Sequence, residues 1–297
     1  MSMTAEQARR LRNWQVPATS HEYSRRDAAL YALSVGFGDD PLDRRELKFV
    51  DHAREDFCVT PSMALILGYP GFWLGHQETG LDLGRILHVE QSIEILEPLA
   101  PAGRVIGHTR VTDLFDLGRG KGALLQSRRD ISDADGRPVA VVRQSHMLAG
   151  YGGFGGEPPV KSTVEAPGQP ACSVETRTLP QQALLYRLNG DLNPIHADPD
   201  RAERAGFARP ILHGMCSLAM ACRAVLRCLC AYEPQRLRSF SARMTALVFP
   251  GETLLHDIYP DGRFTTTVME RSKFALDRGS AIVLDSISQA PSRDLSV

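Results

Sequence analysis

The chain has 297 residues, 43% hydrophobic and 7% aromatic, with 34 Lys and Arg against 35 Asp and Glu, a net charge of -1 and a mean hydropathy of -0.20. That length gives about two domains and ample core, which excludes a small stapled scaffold, and the balanced charge without a long basic run excludes nucleic acid as an expected partner. Apolar runs stop well short of the ~20 residues that cross a bilayer, and the first 20 residues carry Arg and Gln instead of an apolar core, so no membrane partner or secretory leader is expected and a cytosolic setting is.

In chain order, the first half reads as a short helix around Tyr31, an irregular loop, a longer apolar helix in the segment opening Pro61-Ser-Met-Ala-Leu, and strands over 105–115, 123–132 and 139–148. Asp135-Gly136 marks a hairpin between the last two. Glycine and proline then crowd 150–169 and apolar periodicity stops, as in an extended connection. The second half opens with a short helix over 180–188 and a long one over 212–232, rich in small residues. Strands follow at 239–248, 253–259, 264–271 and 280–289, spaced by Pro-Gly, Asp-Gly and Arg-Gly turns. Strands in series after a helix predict an α+β fold with an antiparallel sheet, not βαβ units.

The halves repeat. Tyr31-Ala-Leu-Ser sits opposite Tyr186-Arg-Leu-Asn, Phe57-Cys-Val-Thr-Pro61 opposite Phe207-Ala-Arg-Pro210, and Ile95-Leu-Glu-Pro opposite Ala246-Leu-Val-Phe-Pro250, each at an offset of roughly 150 residues. The expected organisation is one unit at 1–156, a linker at 157–172 and a second unit at 173–297. Six cysteines (58, 172, 216, 222, 228 and 230) are few, and four crowd the second long helix. Cys228 and Cys230 would point about 200° apart on a helix, so they clamp no metal; buried thiols, not a disulfide framework, are expected.

Polar chemistry concentrates in Gly190-Asp191-Leu-Asn193-Pro-Ile-His196-Ala-Asp198. An irregular loop can converge Asp, Asn and His on one point. Equally, Asp191 and Asp198 can cap helices and His196 can satisfy a backbone group. Downstream, His213-Gly214 opens the long helix. Its free N–H groups and positive end suit an oxyanion, and a tight turn would also require the glycine. Gly150-Tyr-Gly152-Gly-Phe-Gly155 fits G-x-G-x-x-G by letter, yet Glu157-Pro-Pro follows it in place of a helix, so it is no dinucleotide fingerprint.

The string Y-x-L-x-G-D-x-N-P-x-H at 186–196, with Ala202 and the segment Ala205-Gly-Phe-Ala-Arg-Pro-Ile-Leu-His-Gly-Met215, resembles the MaoC-like (R)-specific enoyl-CoA hydratase family, particularly the hydratase 2 unit of peroxisomal multifunctional enzymes. Leu47-Lys-Phe, Leu87-His-Val-Glu-Gln and Gly152-Gly-Phe-Gly-Gly extend the resemblance across the first half. It implies a double hot-dog fold, two long helices wrapped by antiparallel sheet, with the sheets joined edge to edge. It implies reversible hydration of a trans-2-enoyl-CoA, with Asp191 and His196 as the catalytic pair, Asn193 positioning water and Gly214 N–H as oxyanion donor. His88, Met244 and His213 align with ligand-contacting positions. Leu117 replaces a basic residue, leaving phosphate contact to Arg119 or Lys121.

The resemblance also implies a first half without catalysis, its loop 34–41 lacking D-x-N-P-x-H, that widens around residues 57–73 into an acyl tunnel. It implies an acyl-CoA substrate, no cofactor, no metal and a possible homodimer. Asn189 departs from the small residue usual before Gly-Asp. A hot-dog thioesterase or a silent acyl-CoA-binding protein are the alternatives, both disfavoured by the intact string. His and carboxylate at Asp191, His196, Asp198 and His213 would suit a metal, but nothing in the sequence fixes their geometry and the resembling family uses none, while His21, His52, His76, His108, His146 and His256 belong to no motif. The last residues, Asp294-Leu-Ser-Val, are not an S-K-L peroxisomal address.

Overall fold

Residues 2–156, 158–159 and 168–285 are described in a computed structural model of the chain; most of the linker, the end of the last predicted strand and the final residues lie outside them. The elements are α1 (Ala5–Arg12), β1 (Thr19–Tyr23), α2 (Arg25–Ser34), α3 (Leu47–Val50), β2 (Ile86–Ile95), β3 (Gly103–Asp116), β4 (Gly122–Asp133), β5 (Pro138–Ala149), β6 (Cys172–Arg177), α4 (Gln182–Tyr186), α5 (Pro199–Arg204), α6 (Gly214–Leu229), β7 (Leu237–Met244), β8 (Thr253–Ile258), β9 (Arg263–Val268) and β10 (Lys273–Val283). Among them no helix is long and apolar enough to cross a membrane.

All ten strands form one sheet in the order β1-β3-β4-β5-β2-β7-β10-β9-β8-β6. Each half contributes five strands in the same spatial order, the second half reversed, so the duplication read from the sequence is a duplication of topology. The halves meet where β2 runs antiparallel to β7, from Glu90 opposite Arg243 to Glu94 opposite Ser239. Tyr31 of α2 and Tyr186 of α4 face each other across this seam, ring centroids 6.2 Å apart.

The expectation of two long helices needs correction. Only α6 is long, and its residues Met215 to Leu226 are all buried under the curled sheet. Its first-half counterpart is a 3-10 turn over Pro61–Leu65. Two things stop it. Gly68 takes a left-handed φ of 60° and its Cα sits against Gly107 of β3, where an added Cβ would lie 2.7 Å from the Gly107 nitrogen. Arg129 of β4 donates to the Ala64 and Leu65 carbonyls at 3.1 and 2.7 Å, taking acceptors that a continuing helix would use. At the far end, Ala231 and Tyr232 turn left-handed, with φ of 52° and 62°, and end α6.

The cysteine expectation is also corrected: Cys172, opening β6, is bonded to Cys228 near the end of α6, 56 residues away. Cys216, Cys222 and Cys230 are the buried free thiols expected, and Cys58 is a free thiol only partly buried. Cys228 and Cys230 do serve different surroundings, as their helical angle requires.

One polar group ties α6 to the first half. Glu46, 1% exposed, accepts Arg223 Nε at 2.7 Å and Nη2 at 3.1 Å, the Tyr232 hydroxyl at 3.0 Å and the Gly38 N–H at 2.7 Å. Such a pair is tolerated because every lone pair is used. Glu46→Ala strands the buried Arg223 charge, and we expect a loss of about 3–5 kcal/mol in denaturant unfolding; an unchanged midpoint would show that the pair does not hold the halves.

Candidate active site

The catalytic-looking loop is shaped by its own side chains. A 3-10 turn over Arg187–Asn189 ends at Gly190, whose φ of 108° redirects the chain. Asp191 Oδ1 then accepts the Asn193 N–H at 3.2 Å, and Asn193 Oδ1 accepts the Ile195 N–H at 3.3 Å. Asp198 caps α5 through the N–H groups of Asp200 and Arg201. Asp198 is thus a helix cap, one of the two roles its sequence position allows, while Asn193, exposed, spends its side chain on the turn.

His196 and His213 are brought together from 17 positions apart, their rings stacked with centroids 3.7 Å apart and planes at 25°. His196 Nδ1 lies 2.8 Å from the Ile211 carbonyl. A carbonyl only accepts, so Nδ1 carries the proton and Nε2 keeps its lone pair. His213 Nε2–H donates to the Asp191 main-chain carbonyl at 3.3 Å, and its Nδ1 is buried with no partner among the described residues. Burial lowers the pKa of both rings, that of His213 to about 3, with His196 beside it adding to the effect. Both imidazoles are thus neutral near pH 7, and His196 can act as a base.

One ligand atom each from Asp191, His196 and His213 falls within a 4.8 Å cluster. A metal bonds along the in-plane lone pair of imidazole, and two planes only 25° apart meet far from either ring. The stack therefore suits an acid–base group better than a shared ion.

Gly214 is the first residue of α6, and its N–H has no partner among the described residues. A Cβ there would run into Met244 Sδ, the far end of a flexible side chain, so the glycine lets Met244 of β7 rest against the helix end and no unusual φ requires it. The structure thus gathers Asp191, His196, His213, Gly214 and Met244. The other positions of the resemblance stand apart. His88 of β2 donates from Nε2 to the Glu90 carbonyl at 3.1 Å and stacks on His146 at 4.7 Å, near the seam beside β7. Leu117, Arg119 and Lys121 lie on the β3–β4 turn, Arg119 and Lys121 exposed. Asp116 gathers the N–H groups of Gly118, Gly153 and Gly155 there, which is the work the glycine-rich segment does.

Asn189, the departure noted in the sequence, does change the loop's hydrogen bonding, and two further features escaped sequence reading, Gln182 and a cavity. Asn189 donates to Ser34 Oγ at 2.8 Å and to the Tyr186 carbonyl at 2.9 Å, tying the loop to α2 of the first half. Gln182 donates to the Ser34 carbonyl at 2.6 Å. A cavity of about 460 Å³ opens beside Gly190, its apolar wall made by Leu30, Leu33, Met63, Ile66, Leu185 and Leu188. Of the predicted tunnel segment 57–73 only Met63 and Ile66 line it, while Phe57, Val59, Leu65 and Leu67 pack into the core.

Fold and site together define a MaoC-like double hot-dog protein. The MaoC like domain matches residues 161–271 and the MFE-2 hydratase 2 N-terminal domain residues 21–150. The peroxisomal enoyl-CoA hydratase 2 of Arabidopsis thaliana is 37% identical over 287 residues, covering 88% of this chain and 91% of its own. The enoyl-CoA hydratase ChsH3 of Mycobacterium tuberculosis is 34% identical, covering 93% and 96%. The crystal structure of a MaoC-like dehydratase from Phytophthora capsici superposes with a TM-score of 0.82 at 32% identity, over 94% of this chain and 99% of that one. The chain belongs to the hydratase 2 branch of the MaoC-like family.

The buried imidazoles set a pH dependence. His213 and, away from the site, fully buried His256 both titrate near 3 in the fold against 6.5 ordinarily. The unfolded chain takes up these protons first, so the stability they lend is complete above about pH 6.5 and is lost as pH falls toward 3. The melting temperature should drop by at least about 5 °C between pH 7 and 5; a flat profile would contradict neutral burial.

Proposed function

We propose that the chain catalyses reversible hydration of a trans-2-enoyl-CoA to a (3R)-3-hydroxyacyl-CoA, the hydration step of fatty-acid β-oxidation. The observation that carries the reading is a carboxylate and an imidazole with a free lone pair, Asp191 and His196, clustered beside the open N-terminus of α6. The relatives named as enoyl-CoA hydratases support the substrate class.

Water attacks C3 when one proton is removed. Asp191 and His196 Nε2 hold that water between them, take its proton and return one to C2. As C2 accepts electron density, the thioester oxygen becomes enolate-like, and the Gly214 N–H at the positive end of α6 stabilises it. Reversal expels the C3 hydroxyl. Every proton and charge is handled by side chains and one backbone amide, so neither metal nor organic cofactor enters the scheme. The second half is the catalytic unit. The first half, whose loop at 34–41 holds no Asp–His pair, accommodates the acyl chain, for which the apolar cavity at Leu30, Leu33 and Leu188 is the natural receptacle. The pantetheine arm passes Met244 and His88 toward Arg119 and Lys121, whose charges suit the CoA phosphates.

The test follows the enoyl ultraviolet absorbance of crotonyl-CoA and a longer trans-2-enoyl-CoA, with a free-thiol assay alongside. Loss of absorbance without thiol release is expected; thiol release would make the enzyme a thioesterase. Asp191→Asn and His196→Ala should each lower kcat by at least ~100-fold with the melting temperature retained. Near-normal turnover in either folded variant sinks the assignment.

A further inference from the structure

The concave face of the first half holds a buried guanidinium with no carboxylate partner among the described residues. Arg129 is 3% exposed; Nη2 serves the two carbonyls that stop the 3-10 turn, and Nε is buried unpaired. Its charged group lies 5.3 Å from the ring centroid of Tyr69. Tyr69 stands on the loop leaving that turn and is fixed there. Its N–H donates to the Ile66 carbonyl at 3.3 Å, and the preceding Gly68 is pressed on Gly107 and donates to His21 Nδ1 at 3.4 Å.

The Tyr69 ring is thus held on a cation, while its hydroxyl hydrogen-bonds to no described residue and is not sealed from solvent. Tyr69 borders the cavity beside Gly190, since its N–H is bonded to Ile66 and the preceding Gly68 to His21, both of which line that cavity. Burial, and next the Asp191 charge, push the phenol well above its ordinary range, with Arg129 pulling the other way. A tyrosine that always keeps its proton and lacks a protein acceptor is a donor suited to a ligand oxygen.

We propose that Tyr69 is a catalytic residue contributed by the first half, its hydroxyl donating a hydrogen bond to the oxygen on C3 of the substrate. That oxygen belongs to the attacking water in hydration and to the departing hydroxyl in dehydration. The reaction places two oxygens in the site: the thioester oxygen, assigned to Gly214, and the oxygen that water brings to C3 or that leaves C3 as water, assigned to Asp191 and His196 on the side from which Tyr69 approaches. The phenol proton stays on Tyr69; the C3–O bond forms or breaks while Asp191 and His196 carry the transferred proton. A donor at this oxygen stabilises the charge it gains as it leaves, and the same transition state serves the reverse reaction.

The inference rests on the hydratase reading, and the experiment separates the two. Tyr69→Phe leaves the ring on Arg129 and removes a hydroxyl that no protein group uses, so the melting temperature should not move. We expect kcat to fall about 10- to 100-fold in both directions. A saturated acyl-CoA of equal chain length has no C3 oxygen, and its inhibition constant should stay within about twofold of wild type. Wild-type turnover in Tyr69→Phe, or a loss of saturated-analogue binding as large as the loss of turnover, overturns the proposal and leaves Tyr69 a wall of the acyl site. A wild-type enzyme silent toward trans-2-enoyl-CoA overturns the hydratase reading and this inference with it.

Discussion

The β2–β7 pairing is the constraint from which the rest follows. Joined there, two five-stranded sheets become one continuous curved surface, and their helices and loops are brought to a common seam. The N-terminus of α6 lies beside Met244 at the end of β7, so the Gly214 N–H, the proposed oxyanion donor, is positioned by sheet and helix together. The loop carrying Asp191 and His196 is then stitched to α2 through Asn189 and Ser34, and α6 to Glu46 through Arg223. Most of these ties cross between halves, so the loop carrying Asp191 and His196 takes its shape from the fused pair and not from the second half alone.

Symmetry in topology coexists with asymmetry in filling. Where the second half buries a helix of 16 residues, the first buries a turn of five. The missing turns would have filled the concavity with small apolar side chains. Their place is taken in part by Arg129 and Tyr69, and space is left for a cavity that reaches the loop at Leu188, Asn189 and Gly190. A buried cation costs several kcal/mol unless its protons are used. Arg129 offsets part of that cost through the carbonyls it caps and the aromatic face above it, and desolvation lowers its pKa to about 10, still charged at neutral pH.

Local periodicity made most strands legible: 105–115, 123–132 and 139–148 fall within β3, β4 and β5, and the offset of roughly 150 residues foretold the repeated topology. The Asp191–His196 string was legible because turn-forming side chains and reactive ones share it. What failed was non-local. Nothing within Pro61-Ser-Met-Ala-Leu says that Gly107 and Arg129, 46 and 68 positions on from Pro61, will cut the helix short. The Cys172–Cys228 bond joins a strand start to a helix end that only the fold brings together. Arg129 did leave a trace: it falls in the alternating series Leu125, Ser127, Arg129, Ile131, whose members are all buried, and a lone Arg on the inward face of a strand marks a polar group that needs a use.

The protonation states follow from burial. Both imidazoles are driven neutral, so the only formal charge in the triad is the Asp191 carboxylate, while the opposite end of the reacting group meets the positive terminus of α6. In the proposed reaction, substrate lying between them would see a field that runs along the C3–C2–C1 axis. Under that proposal, negative charge leaving the water at C3 and accumulating on the thioester oxygen at C1 would move away from Asp191 and toward the helix, which is the direction that lowers the barrier. Were His213 protonated, its charge 3.7 Å from the His196 ring would oppose protonation of that base at the moment of transfer. Keeping His213 deeply buried, with Nδ1 unsatisfied, preserves the basicity of its neighbour at some expense in stability.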